Sequence, residues 1–222
     1  MTTGLGSELT ELIPLALVIT LSPLTIIPGI LMLHTPSPRP TSLAFLLGWA
    51  LGIGGLTAGF VLVSNALGGL STQPTWAPYV RIVIGAALVV FGLYRWFTRN
   101  RSAHTPGWLT AMTSIGPGRA FVTAVVLVVI NPKVLFMCAA AGLAIGSAGL
   151  GTTGAWTADA VFTAVAASSV ALPVLAYLVA GERLDEPLTK LKNWMEAQHA
   201  TLVAVILVVL GLMVLYKGIH SL

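Results

Sequence analysis

The sequence predicts an all-α integral membrane protein of six transmembrane helices, forming two inverted three-helix repeats with broken first and fourth helices. Three observations predict this fold class: an excess of apolar residues, six long apolar runs, and two prolines at matching intramembrane positions. Hydrophobic residues make up 56% of the 222 residues and charged residues only 8%, with a mean hydropathy of +0.93. Soluble domains carry about 25% charged residues and need a polar shell around their core. The composition therefore excludes a soluble globular fold.

The apolar residues fall into six runs, each ended by turn-forming or charged residues. A helix needs about 20 residues to cross the hydrocarbon core of a bilayer, whereas barrel strands show about ten residues of alternating polarity. We therefore treat 1–222 as a single transmembrane domain, with repeats at 9–98 and 118–217 and cytoplasmic loops at 98–118 and 181–200. The predicted spans are Leu9–Leu33, Thr41–Leu67, Tyr79–Phe97, Ala120–Ile145, Thr157–Ala180 and Thr201–Tyr216.

The basic residues predict the orientation of these spans. If the loop after the third span is cytoplasmic, eight Arg and Lys residues lie inside, two lie outside and one lies within a span. Cytoplasmic loops of membrane proteins carry such an excess of positive charge. We therefore expect a multi-pass plasma (inner) membrane protein with both termini on the outer face, and no nucleic-acid partner despite a pI of 9.6. The inside residues are Arg39, Arg95, Arg99, Arg101, Arg119, Arg183, Lys190 and Lys192.

One segment, Leu184–Ala200, is conspicuously polar. It begins with acidic residues and Pro187, and Lys190 and Lys192 follow, which is the order typical of a helix. We expect a short amphipathic helix on the cytoplasmic surface. It serves either as a plain connector or as a binding element for lipid or a partner protein.

Proline interrupts the first and fourth spans, at Ser22–Gly29 and at Asn131–Lys133. Proline removes a backbone donor and clashes with the preceding turn, and irregular backbone inside a membrane persists only where protein or a cavity covers it. Pro23 and Pro132 lie 109 residues apart, in the first helix of each half. Broken helices at corresponding points of inverted repeats indicate the central site of a transporter. Two unrelated proline kinks are the alternative.

Ionisable side chains inside the spans are the candidates for chemistry, because they are costly there and face a cavity or a partner. Lys133 lies in the fourth span and Asp159 in the fifth. We expect these two to form an ion pair, which is either structural or part of a proton or anion pathway. The predicted pathway residues are Ser22, Pro23, Thr25, Pro28, Asn131, Pro132, Lys133 and Asp159.

Glycines at positions 48, 52, 55 and 59 recur along the second span. Small residues at this spacing let membrane helices approach closely, so we expect a helix-contact face, either within the protomer or across a dimer. The sequence contains no GxSxG, HExxH, paired-cysteine or Walker-type pattern. We therefore expect no enzyme activity, no metal site and no cofactor.

Three segments, Leu21–Gly29, Gly48–Gly52 and Ile130–Lys133, together resemble the LysE exporter superfamily. The chain is most similar to its glycolipid-addressing (GAP) family, which includes the sulfolipid-addressing (Sap) proteins of actinobacteria. The resemblance extends over essentially the whole chain. It implies an inner-membrane protein that moves cell-envelope glycolipids outward, a fold of two inverted three-helix repeats, and a homodimer as one option. The positions carried over are Ser22, Pro23, Pro28, Asn131, Pro132 and Lys133.

Amino-acid exporters of the superfamily tend to carry an acidic residue after the first-helix proline, and Leu24–Pro28 has none. This favours a bulky, largely apolar substrate, and we expect an exporter or flippase of a glycolipid whose anionic head group Lys133 neutralises. Export of a small amino-acid-like or ionic solute, with Lys133 and Asp159 handling protons, is one alternative. A non-transporting accessory subunit of a lipid synthesis or export complex, bound through Leu184–Ala200, is the other.

Overall fold

The computed structural model describes residues 2–66 and 114–198 continuously, with further helical positions between 86 and 97 and between 201 and 219. All regular structure in the two continuous stretches is helical. Its elements are α1 (Thr2–Thr20), α2 (Pro23–Met32), α3 (Pro38–Ala66), α4 (Pro117–Ile130), α5 (Pro132–Ser147), α6 (Gly151–Ala180), a 3-10 helix (Gly181–Leu184) and α7 (Asp185–Ala197).

The helices α3 and α6 match the second and fifth predicted spans, and each is long and apolar enough to cross a membrane. The first and fourth predicted spans are bent pairs, with 57° between α1 and α2 and 73° between α4 and α5. The described residues therefore hold two spans, or four if each bent pair is one span, as expected of a helical membrane protein. The third and sixth predicted spans lie largely outside the described residues, although the positions described within them are helical.

The chain divides into two compact units, Met1–Ser71 with Pro106–Lys192, and Thr72–Thr105 with Asn193–Leu222. The first unit contains α1 to α6 and the start of α7. The second is described only at the end of α7 and at separate helical positions. The predicted amphipathic helix is present as α7, where Lys190 pairs with Glu186 one turn earlier at 2.6 Å.

In the first unit, α3 packs against α4, α5 and α6. The N-terminal half of α3 presents Phe45 and Trp49 to the core, and their stacked rings lie 6.1 Å apart. Glycines allow the close approach to α4. A methyl group at Gly48 would collide with the carbonyl oxygen of Phe121, and one at Gly52 would lie 3.1 Å from Val128 Cγ2. These two glycines confirm a contact face within the protomer.

The upper glycines of α3, Gly55 and Gly59, do not continue this contact face with α4. Gly55 and Gly59 lie on nearly the same side of the helix as Gly48, because seven residues make almost two full turns. A methyl group at either position would meet nothing within 4 Å. The physical reason is the helix break: α4 ends at Ile130, shortly after its contact at Gly52, and α5 packs elsewhere on α3. Among the described residues the contact face within the protomer therefore ends at Gly52, and a contact of Gly55 and Gly59 across a dimer stays a prediction.

Each bent pair runs parallel to one of the two long helices. Along α3, Gly48 lies against Phe121 of α4, and Val61 and Ser64 farther up lie against Gly146 of α5. The same holds for α1, α2 and α6. There, Gly4 lies beside Leu150, Thr20 bonds to Val165 and Gly29 packs on Val170. The pair α4–α5 thus runs along α3, and the pair α1–α2 runs along α6.

Candidate substrate pathway at the two helix breaks

The first break separates α1 from α2 at Leu21 and Ser22. Pro23 cannot donate a hydrogen bond to the preceding turn and forces the residue before it into an extended conformation. Ser22 accordingly has φ −81° and ψ 122° and is the N-cap residue of α2, without a side-chain capping bond. Its side chain is only 4% exposed. The break therefore places a polar hydroxyl inside the protein.

Thr25 adds a side-chain donor to two carbonyl groups at this break, which also accept backbone N–H groups. Its hydroxyl oxygen lies 2.9 Å from the carbonyl oxygen of Ile19 and 2.6 Å from that of Ser22, so one proton is shared between them. The side chain is fully buried. Its hydroxyl thus ties the end of α1 to the start of α2 and is part of what holds the break in place. Pro28, also buried, follows within α2.

The second break lies at Asn131, between α4 and α5. Asn131 is extended at φ −73° and ψ 106°, as expected before Pro132. Its side-chain oxygen accepts a hydrogen bond from the backbone N–H of Lys133 at 3.1 Å, which caps the N-terminus of α5. Its own N–H donates to the carbonyl of Leu127 at 3.1 Å, which closes α4. One residue thus ends one helix and starts the next.

The side chain of Lys133 is partly exposed in the first turn of α5. The predicted ion pair with Asp159 is not formed, since the Glu186–Lys190 pair is the one ion pair among the described residues. The reason is helical geometry. The Asp159 carboxyl group lies near Cys138, which is five residues farther along α5 and therefore about 140° around that helix from Lys133. The two side chains leave α5 in different directions.

Asp159 belongs instead to a small polar cluster inside the helix bundle. Its side chain is 7% exposed, and the Thr163 hydroxyl donates to it at 3.5 Å. The thiol of Cys138 in α5 lies within electrostatic range of this carboxyl group and against Thr57 of α3. The Thr57 hydroxyl is fully buried and, apart from this thiol contact, has no hydrogen-bond partner among the described residues. The cluster offers a carboxyl group and an unused hydroxyl, which suit proton or cation handling more than anion binding.

The structure therefore assembles three separate polar sites from the predicted residues. Ser22 and Thr25 meet at the first break, Asn131 and Lys133 meet at the second, and Asp159 lies apart from both. No hydrogen bond or ion pair between the two breaks is recorded among the described residues. No group of three or more metal-ligating side chains occurs among them either.

Sequence reasoning missed the threonines around these sites. Thr163 lies four residues after Asp159, a spacing that puts both on one helix face and that could have been noticed. Thr20, whose hydroxyl oxygen lies 2.8 Å from the Val165 carbonyl oxygen of α6, precedes the first break by two residues. Thr57 gives no such local signal, because only the packing of α5 on α3 brings it to Cys138.

A family model described as SfLAP, Sap, sulfolipid-1-addressing protein, matches residues 12–220, which is nearly the whole chain. No curated protein and no solved structure matches the chain.

Proposed function

Because the chain belongs to the sulfolipid-1-addressing protein family, we propose that it exports or flips a cell-envelope glycolipid across the inner membrane. The observation that carries the lipid assignment is the family match over residues 12–220. The two capped helix breaks favour transport, because irregular backbone at membrane depth is typical of substrate sites in transporters. This family is not known as one of enzymes, and we propose no catalytic step.

Six spans are part of the proposal, and the direction of the helices supports this number. The helix α3 and the pair α4–α5 run in the same direction, so if both cross the bilayer the chain between them must cross back. A third span at Tyr79–Phe97 provides that crossing, and positions described within it are helical. A sixth span at Thr201–Tyr216 then completes two halves of three.

The proposed inverted repeat accounts for the exchange of partners between the halves. The bent pair of the first half packs along the long helix of the second half, and the bent pair of the second half packs along α3. A methyl group at Gly54 would lie 3.2 Å from the Thr163 hydroxyl where α3 meets α6. These two residues are 109 apart, the same separation as Pro23 and Pro132. Corresponding positions of a two-fold repeat meet at its axis, so the contact supports a repeat with this offset.

The breaks line the proposed lipid path. Lys133 has no ion-pair partner within the described residues and lies in the first turn of a helix that starts inside the membrane-spanning pair. An uncompensated ammonium group is expensive at such a depth. Binding of an anionic head group would remove that cost, and the helix N-terminus would add to the attraction. Ser22 would supply a hydroxyl at the other break.

The test compares cells that contain and lack this protein, with surface-exposed lipids separated from total lipids before mass spectrometry. We expect one glycolipid still to be synthesised in the deletion strain but no longer to reach the surface. The wild-type protein and the control Lys190→Ala should restore surface delivery, whereas Lys133→Ala should not. Unchanged surface lipids after deletion would reject lipid export.

Small-solute export driven by protons is the second candidate, and the buried Asp159 cluster favours it. Here vesicles with an imposed pH gradient should show solute efflux that Asp159→Asn abolishes. The accessory-subunit alternative predicts a third pattern: deletion blocks delivery of the lipid in cells, yet the purified protein in vesicles moves neither lipid nor solute.

A further inference from the structure

A hollow of about 580 Å³ lies where the start of α3 meets the end of α6. Its size is typical of ligand pockets. Arg39 lines it from α3 and Arg183 from the 3-10 helix that follows α6, and none of the lining side chains that the structure describes is acidic. This arginine hollow is separate from both helix breaks and from the Asp159 cluster.

Neither arginine is neutralised by a carboxylate in the part of the chain that the structure describes, since the ion pair found there joins Glu186 and Lys190. Two guanidinium groups on one hollow repel each other, and a bound anion would relieve this repulsion. The planar guanidinium fork matches the oxygens of phosphate groups in a bidentate geometry. A tetrahedral oxyanion is therefore the ligand that this pair of side chains fits.

Local backbone structure holds both arginines in place. Arg39 stands between Pro38 and Pro40, whose rings restrict the first turn of α3. On the other side, Gly181 ends α6 at φ 58° and ψ −143°, a conformation that residues with a Cβ rarely adopt. The turn at Gly181 leads into the 3-10 helix that brings Arg183 to the hollow. The site is thus built by the fold.

The surface beside Arg39 distinguishes a lipid from a free anion. Leucines follow Arg39 at intervals of four residues along α3 and are exposed by 38%, 58% and 63% at Leu43, Leu47 and Leu51. Side chains four residues apart are neighbours on a helix surface. A lipid bound through its head group at Arg39 could therefore lay an acyl chain along these leucines, whereas a free anion gains nothing from them.

We infer that the arginine hollow binds the phosphate or sulfate head group of an anionic membrane lipid, with its acyl chain along the leucine stripe. The inference uses the proposed membrane location but not the transport activity, so head-group binding and lipid export can fail independently.

The experiment measures lipid retention by the purified, delipidated full-length protein in native mass spectrometry. Dioleoyl phosphatidic acid, dioleoyl phosphatidylcholine and inorganic phosphate are the three probes. We expect phosphatidic acid to bind at least about tenfold better than phosphatidylcholine, and each of Arg39→Gln and Arg183→Gln to weaken it by about tenfold or more, as for lost charge-assisted hydrogen bonds. Arg183→Lys, which keeps the charge but not the fork, should give an intermediate loss.

The matched control is Arg119→Gln, which removes one exposed arginine from the first turn of α4, away from the hollow. It should bind phosphatidic acid as the wild type does. A loss in this control equal to that of Arg183→Gln would show a general effect of charge and overturn the inference. Wild-type binding by the double variant Arg39→Gln/Arg183→Gln would overturn it as well. Inorganic phosphate that binds as tightly as phosphatidic acid would replace the lipid by a free anion.

Discussion

Replacing Gly142 by alanine should force α5 away from α3. A methyl group there would lie 2.5 Å from the carbonyl oxygen of Thr57 and 2.6 Å from Phe60 Cβ. Both distances are about 1 Å shorter than ordinary contacts between nonbonded atoms. The backbone carbonyl cannot rotate away as a side-chain end could, so the two helices must separate along their shared face.

The size of the effect follows from two opposing contributions. Overpacking of a well-packed interface typically costs about 1–3 kcal/mol. If the two helices separate by about 0.5–1 Å instead, each affected contact loses roughly a quarter to a half of its attraction, and we expect the total loss to be of similar size. Alanine recovers about 1 kcal/mol through its higher helix propensity. Gly59→Ala is the matched control, because its methyl group meets nothing within 4 Å and gains only the propensity. The two variants should therefore differ by about 1–3 kcal/mol.

Thermal unfolding in detergent, followed by circular dichroism, measures this difference. One kcal/mol shifts the melting temperature by about 2–4 °C in a chain of this length, so Gly142→Ala should melt about 2–12 °C below Gly59→Ala. Equal melting temperatures would refute the close approach of α3 and α5. A specific loss of dimer mass for Gly59→Ala in light scattering would instead assign the upper glycines to a contact between protomers.

Three further changes test local structure. Thr25→Val should lower the unfolding free energy by about 0.5–1.5 kcal/mol, because the Ile19 and Ser22 carbonyls lose a side-chain donor but keep their backbone donors, whereas Thr25→Ser should stay close to wild type in the same denaturation series. Asn131→Ala should cost about 1 kcal/mol through the lost cap of α5, and Asn131→Ser, an uncharged capping residue, should recover most of it; equal stability of the two would reject the cap. Gly181→Ala should cost about 1–3 kcal/mol through backbone strain alone and increase proteolysis after α6, while proteolysis at the wild-type rate would contradict the assigned turn.

Both breaks could be predicted because they follow from local rules, whereas α1 and α6 begin at Thr2 and Gly151, before the predicted starts at Leu9 and Thr157. Ser22 and Asn131 precede prolines, and the conformation of such residues depends on the next ring and not on distant packing. The same is true of α7, whose acidic start and later lysines are visible in the sequence. These features needed no knowledge of which helices are neighbours.

The outcomes that the sequence did not predict depended on helix faces and partners. The Lys133–Asp159 pair was inferred from cost and depth, but depth alone does not say which side of α5 looks toward α6. Gly55 and Gly59 do not extend the contact within the protomer for a related reason, since their side of α3 would be covered there only if α4 continued past Ile130. The spacing of small residues is a property of one helix, whereas a close helix–helix contact also needs a second helix at the same depth.

The proposed repeat also separates residues that the fold requires from residues that it does not. At an offset of 109, Ser22 corresponds to Asn131, and both are N-cap residues at a break, so the fold explains a polar side chain in each half. Asp159 corresponds to Ala50 and Thr163 to Gly54, which have no polar side chains. The first half carries Ala50 at the corresponding position, so the proposed repeat by itself does not require a carboxyl group at Asp159. Since a buried acid is costly at membrane depth, we propose Asp159 as the residue of the second half that would couple transport to protons in the small-solute alternative.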